Sequence, residues 1–170
     1  MAGSGSAGGV NLITGDHAAY VQQQRVSAGF FRVLGVPPAL GREFTTVEDR
    51  VGGSALAVLS HGLWARAFDA DVHVIGRQVT LRGEPFTVIG VMPPGFRSNA
   101  PADLWTPLRP STHGEGSGQN YLLVARIKPG LHWADVSGQV ESIGTAILQD
   151  IFHPPPDLRL TMRLVTSSGR

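Results

Sequence analysis

Val26-Ser27-Ala28-Gly29-Phe30-Phe31-Arg32-Val33-Leu34-Gly35-Val36-Pro37-Pro38-Ala39-Leu40-Gly41-Arg42-Glu43-Phe44 encodes a helix, its stop and the turn that follows. Phe30, Phe31 and Leu34 fall on one side at helical spacing, with Ser27 expected as N-cap. Gly35 accepts the left-handed conformation of a C-cap without steric cost. Pro37 and Pro38 lack the amide that a continuing helix needs, so the stop is doubly encoded. Gly41-Arg42-Glu43-Phe44 then reads as a tight turn that returns an aromatic ring to the core, with Arg42 left to brace the turn or lie on the surface.

Outward from this stretch the chain punctuates itself with glycine and proline. Toward the N-terminus, Ala19 to Val26 alternates weakly and suits an edge strand. Met1 to Gly9 is so rich in glycine and serine that it reads as a flexible leader, a cloning remnant or a linker. We therefore expect 1–18 to be leader and 19–170 to be the folded domain, truncated on its N-terminal side. Toward the C-terminus, Thr45 or Thr46 caps a short acidic turn at Val47-Glu48-Asp49. Ala55 to Leu59 is a buried strand, and Ser60 caps a helix that places Leu63, Trp64, Ala67 and Phe68 on one face. Gln78–Leu81 and Phe86–Met92 form a hairpin through Arg82-Gly83-Glu84.

Asp103 to Leu108 is a short extended piece, and Arg109 to Asn120 carries almost no apolar residue, so it reads as a mobile loop. Tyr121 to Ile127 is a strand closed by Lys128-Pro129-Gly130. The clearest helix follows: Trp133, Val136, Val140, Ile143, Ile147 and Ile151 step by three or four, despite Gly138 and Gly144 inside it. Pro154-Pro155-Pro156 ends it, and Leu158 to Val165 alternates as a final strand. Strand runs broken by one long helix and two short ones predict an α+β fold. Its mostly antiparallel or mixed sheet is packed by the helices, in one domain or two small subdomains.

Composition narrows the function classes. At 170 residues and 42% hydrophobic the chain can bury a core of its own, about 70% of its unfolded surface for this length. A net charge of +1 with scattered basic residues lacks the footprint that neutralises nucleic-acid phosphates. The absence of cysteine removes disulfides, thiolate catalysis and cysteine-bound zinc. No apolar run approaches the roughly 20 residues that span a bilayer.

Few residues invite chemistry. Asp69, Asp71 and His73 alternate, and on a strand would share a face able to hold a divalent ion. They follow a short helix, however, and lack a full ligand count, so turn-making is the stronger reading. His17, His61, His73, His113, His132 and His153 form no His-x-x-x-His pair. Gly114-Glu115-Gly116-Ser117-Gly118 mimics a phosphate cradle without the strand-to-helix context or the following Gly-Lys-Ser/Thr. Trp64, Trp105 and Trp133 could stack a ligand, but large aromatics in a domain this size belong in the core. On motifs alone a binding or structural module outweighs an enzyme: no catalytic, metal or cofactor-binding residue is assigned.

Taken as an ordered series, these residues resemble the MacB-like periplasmic core domain, the extracytoplasmic part of ABC-type efflux permeases, especially the duplicated permeases of acidobacterial type. The series runs through Val26-Ser27 with Phe31, Leu34-Gly35-Val36, Gly41-Arg42 with Phe44, Glu48-Asp49, Val58-Leu59-Ser60 with Trp64 and Phe68, and Ile75-Gly76. It continues through Val88 to Pro93 with Phe96, Asp103-Leu104-Trp105 with Pro107, and Ala125 to Gly130. His132-Trp133 replaces the more usual polar entry to the long helix. The resemblance implies a non-catalytic domain on the periplasmic side of a membrane permease. Its partners would be the permease's own transmembrane helices and ATPase, a second permease copy and, in tripartite exporters, a periplasmic adaptor protein, with no cofactor and no nucleic acid. Two alternatives remain: a metal-dependent module or hydrolase built on Asp69, Asp71 and His73, and a small-molecule or peptide receptor around Trp105, Pro107 and the loop to Asn120.

Overall fold

The computed structural model describes residues 2–15, 17–110, 121–127 and 129–152. The chain falls into two units, Met1–Arg126 and Ile127–Arg170. The first holds strands β1 (Ala2–Thr14), β2 (His17–Val26), β3 (Leu40–Gly41), β4 (Leu56–Leu59), β5 (Gln78–Leu81), β6 (Glu84–Val91), β7 (Leu104–Pro107) and β8 (Tyr121–Val124). It also holds helices α1 (Phe30–Leu34) and α2 (His61–Phe68) and a single 3-10 turn at Val72–Val74. The expected α+β class holds, with a mixed sheet: β2 pairs with β7 and β4 with β6 in parallel, while the other pairings are antiparallel.

The sheet closes on itself. The strand order β2-β7-β4-β6-β5-β1 is completed by β1 pairing back onto β2, with β8 added to β1 and β3 to β6. Closure follows from the length of β1, which pairs with β2 along most of its run and reaches β5 at Leu12 and Ile13. Ala2–Thr14 is thus a strand of the barrel where the composition predicts a flexible leader. Glycine and serine weaken a strand's intrinsic preference, which is why the segment reads as a linker. Here Val10 and Leu12 anchor it in the core, and its neighbours supply the pairing.

Alternation along the strands feeds two apolar clusters. Val10, Leu12, Val21, Ala57, Leu59, Val79, Leu81, Val88 and Leu104 converge with Leu63 and Phe68 of α2. The opposite faces send Val26, Leu56, Val58, Ile89 and Trp105 against Phe30 and Phe31 of α1 and against Phe44. β4 and β6 therefore read as nearly continuous apolar runs, as strands buried on both faces must.

The opening stretch folds largely as read, with two corrections: the expected tight turn at Gly41–Phe44 is instead extended chain running on from the end of β3, which pairs with β6, and the N-cap differs. Gly35 (φ 78°) ends α1, donating its amide to the Arg32 carbonyl at 3.0 Å. Gly41 (φ 70°) lies so close to β6 that a Cβ would stand 2.0 Å from the Ile89 carbonyl oxygen. Ser27 is not the N-cap. α1 starts from Gly29 in the left-handed conformation, and the Ser27 hydroxyl instead accepts from the Gly3 amide at 2.8 Å. Ser60 does cap α2, accepting from the Leu63 amide at 3.1 Å. β2 is an edge only in part, because Gln23–Val26 pairs with β7 as well as with β1.

In the second unit, α3 (Trp133–Phe152) follows the predicted stripe. The Asp135 carboxylate accepts from the His132 amide at 2.8 Å, a return bond that serves where the usual polar cap is missing. The predicted loop at 111–120, the proline stop at 154–156 and the strand at 158–165 lie outside the described residues. Among the described residues no helix is long and apolar enough to cross a membrane.

Candidate functional site

A cleft of about 410 Å³ opens on the first unit between Gln22 of β2 and the segment Phe96–Asp103 that connects β6 to β7. The sequence dictates this connection's course: Pro93 and Pro94 end β6, and Phe96 packs its ring edge-on to Trp105 and Phe31, with centroids 5.3 and 5.8 Å apart. The polar residues that follow are then drawn over the end of the barrel.

Beneath the cleft lies a polar knot centred on Gln24, a fully buried side chain. Its amide nitrogen donates to Asn99 Oδ1 at 2.9 Å and to the Gly5 carbonyl at 3.3 Å. Its Oε1 accepts from the Ser98 hydroxyl at 2.8 Å and from Trp105 Nε1 at 3.2 Å. Asn99 Nδ2 donates in turn to the Ser4 hydroxyl at 2.9 Å. A buried amide is tolerated only when its donors and acceptors are met, and here three chain segments meet them. The knot went unnoticed in the sequence. Its one signal is that Gln24 precedes Val26 by two residues, placing a polar side chain on a strand face whose next member is core.

At the rim, Asp103 Oδ1 pairs with Arg66 of α2 at 2.6 Å while its Oδ2 accepts from the Gln22 amide at 2.9 Å. Elsewhere Glu48 holds Arg42 bidentately at 2.7 and 2.9 Å and accepts from the Thr45 amide at 2.8 Å. The hydrogen bond from Arg42 lowers the Glu48 carboxyl from 4.5 to about 2, and the same bond raises the Arg42 guanidinium. Arg42 is thereby a turn brace. Asp49 ties two more backbone turns, accepting from the amides of Ala28 at 2.8 Å and Arg109 at 2.9 Å. Chemically, these carboxylates brace turns.

The predicted metal candidates do not converge. Asp69 is the left-handed C-cap of α2, with φ 51°. Asp71 accepts from the His73 amide at 2.9 Å and pairs with Arg77, so its oxygens serve a turn and an ion pair. Among the described residues no group of three or more His, Asp or Glu side chains gathers as a metal would require. Trp64 and Trp105 pack in separate clusters. Trp105 is core at 1% exposure, Trp64 donates its Nε1 to the Asp71 carbonyl at 2.9 Å, and Trp133 is exposed in the second unit. Pro107 is buried beside Trp105, so neither is presented to a ligand.

The fold has known counterparts. The periplasmic region of MacB from Actinobacillus actinomycetemcomitans superposes with a TM-score of 0.63 at 18% identity, covering 88% of this chain and 66% of that one. The extracellular domain of the noncanonic ABC-type transporter YknZ from Gram-positive bacteria superposes at 0.65 and 15% identity, covering 91% and 77%. The chain thus spans just under two thirds of the MacB region, and at these identities the likeness speaks to the fold. No curated protein matches the chain. The sequence profile of the MacB-like periplasmic core domain matches residues 3–143, a span that begins inside the glycine-rich segment and runs into α3. With most of its length inside that profile, the chain belongs to the MacB-like periplasmic core domain family.

Proposed function

We propose that this chain is the extracytoplasmic domain of an ABC transporter permease and that it acts without catalysis, relaying ATP-driven conformational change to periplasmic partners or substrate during export. The observation that carries the reading is family membership across residues 3–143. It is supported by a site whose charged groups brace turns and whose buried amide is fully engaged. In this reading the partners are the permease's transmembrane helices and ATPase, a second permease copy and, where the exporter is tripartite, a periplasmic adaptor. A domain of this kind transmits force through rigid elements that have two arrangements, so its fold is the functional part.

Placing spin labels on β5 and α2 of this domain within its parent permease tests the reading. The distance from each label to the membrane-embedded part should change between nucleotide-free and ATP-trapped states. Unchanged distances through the cycle, or hydrolase turnover by the purified chain that a single side-chain substitution abolishes, would sink it. The cleft beside Gln22 favours one second reading, a small-molecule receptor, because its volume lies within the range of roughly 300–1,000 Å³ typical of ligand sites. A ligand held there raises the melting temperature by mass action, and Arg97→Ala at the cleft should abolish that rise.

A further inference from the structure

β1 is built in two unlike halves. From Val10 onward it is anchored by apolar side chains: Val10 and Leu12 are 3% and 1% exposed, and Leu12 and Ile13 pair with β5 as well as β2. From Ala2 to Gly9 its hydrocarbon side chains are two methyl groups, Ala2 and Ala7. The ladder to β2 also shifts register between Ser4 and Ala7, so Ala2–Gly5 is not zipped continuously to the rest of β1, which pairs with β2 without a break from Ala7 to Thr14. Glycine-rich strands with little side-chain volume hold their register weakly, since no apolar face enforces it.

One methyl group of the first half, Ala2, packs in the apolar cluster of Val26, Phe30 and Trp105, against which Val124 of β8 also rests; the other grips are polar. Ser27 accepts from the Gly3 amide at 2.8 Å and donates its own amide to the Gly3 carbonyl at 2.9 Å. Asn99 holds the Ser4 hydroxyl at 2.9 Å, and Gln24 holds the Gly5 carbonyl at 3.3 Å. β8, in turn, depends on this half. Its four residues pair with Ala2–Gly5, its only ladder partner among the described residues, and its Leu122 and Leu123 are 58% and 67% exposed.

The geometry points to a detachable strap: Ala2–Gly5 and β8 open together as one unit, hinged where the ladder to β2 breaks between Ser4 and Ala7, while Ala7–Ile13 stays paired with β2 and keeps the β5–β1–β2 joint closed. Breaking the Ser27, Asn99 and Gln24 hydrogen bonds releases the strap and removes the ladder of β8 with it. Since the chain passes from β8 directly toward the second unit, strap release gives that connection a second state without dismantling the barrel core. The strap is a property of this chain alone and does not depend on the transport reading.

Residue-resolved amide hydrogen exchange on the full chain tests it. The amides of Gly3 and Ser4 and those of Leu122 and Val124, which stand opposite Ser4 and Ala2 across the β1–β8 ladder, should share one opening rate, on the order of a hundredfold faster than Leu12, Val21 and Val58. Asn99→Ala should quicken both sets together by about tenfold and leave Val58 unchanged. Gly8→Thr, whose Cβ enters open space, should slow both sets and keeps the test decisive should Asn99→Ala fail to fold. Protection of Gly3 and Ser4 equal to that of Val58 would overturn the strap, as would a variant that moves β1 and leaves β8 untouched.

Discussion

β4 is buried throughout and Ser4 of β1 is buried as fully, yet for opposite reasons. Every residue of β4 is buried because Leu56, Ala57, Val58 and Leu59 deliver apolar volume to clusters on both sheet faces. Ser4 is fully buried because β2 and β8 flank it and Asn99 bonds its hydroxyl, while Ala2 is buried as a single methyl at the edge of the cluster of Val26, Phe30 and Trp105. Burial in β4 is driven by removing side chains from water, at roughly 25 cal/mol per Å². Burial in β1 is conferred by neighbours that find partners for a nearly bare backbone. Equal exposure therefore conceals unequal contributions to stability.

Four measurements sharpen or break this contrast, from the largest expected effect to the smallest. Leu59→Ala in β4 should cost about 2–5 kcal/mol in denaturant unfolding, the range for a leucine cavity in a packed core. A loss below about 1 kcal/mol would mean that β4 does not anchor the barrel. Gln24→Leu strips partners from Asn99, Ser98, Trp105 and the Gly5 carbonyl, and should cost roughly 1–3 kcal/mol by the same method. A neutral result there would show that the polar knot does not hold β1. Ser60→Ala removes the cap of α2, which covers the same cluster as Ala57 and Leu59, and should lower stability by about 1 kcal/mol.

The smallest effect is present at neutral pH and disappears in acid. The Glu48 carboxyl stands at about 2 in the folded chain against an ordinary value of 4.5, because Arg42 and the Thr45 amide favour its charged form. Between those values the unfolded chain binds the proton that the folded chain does not. The stabilisation is therefore complete above about pH 4.5 and fades as pH falls toward 2. Unfolding curves of Glu48→Gln and of the unchanged chain should differ at neutral pH and converge across that window. A gap independent of pH would show that the Arg42 pair contributes nothing through charge.

Much of the fold was legible where local chemistry and burial agree. Gly35 and Ser60 predicted the end of one helix and the start of another, and Val79 and Leu81 with the Arg82-Gly83 turn predicted the β5–β6 hairpin. The ordered residue series already pointed to the family. Misreadings fell where a residue's partner is remote in sequence. Ser27 has the composition of a cap, but the amide it meets belongs to Gly3, 24 positions away. Gln24 reads as a polar strand residue, and its burial depends on Ser98 and Asn99 arriving from 74 and 75 positions downstream. At Asp69, Asp71 and His73 the preferred reading, turn-making, agrees with the structure, where the segment folds as a helix cap and a 3-10 turn.

By itself the sequence determined the α+β class, the buried strand β4, the β5–β6 hairpin, the long amphipathic helix and the glycine stop of α1. Each rests on periodicity or on a backbone conformation that only certain residues adopt. Only the tertiary structure decided that the sheet closes, that a glycine-rich segment is part of that closure and that its buried polar groups are satisfied. Those outcomes depend on pairing between distant strands, where hydrogen-bond partners rather than side-chain volume determine which backbone is taken in.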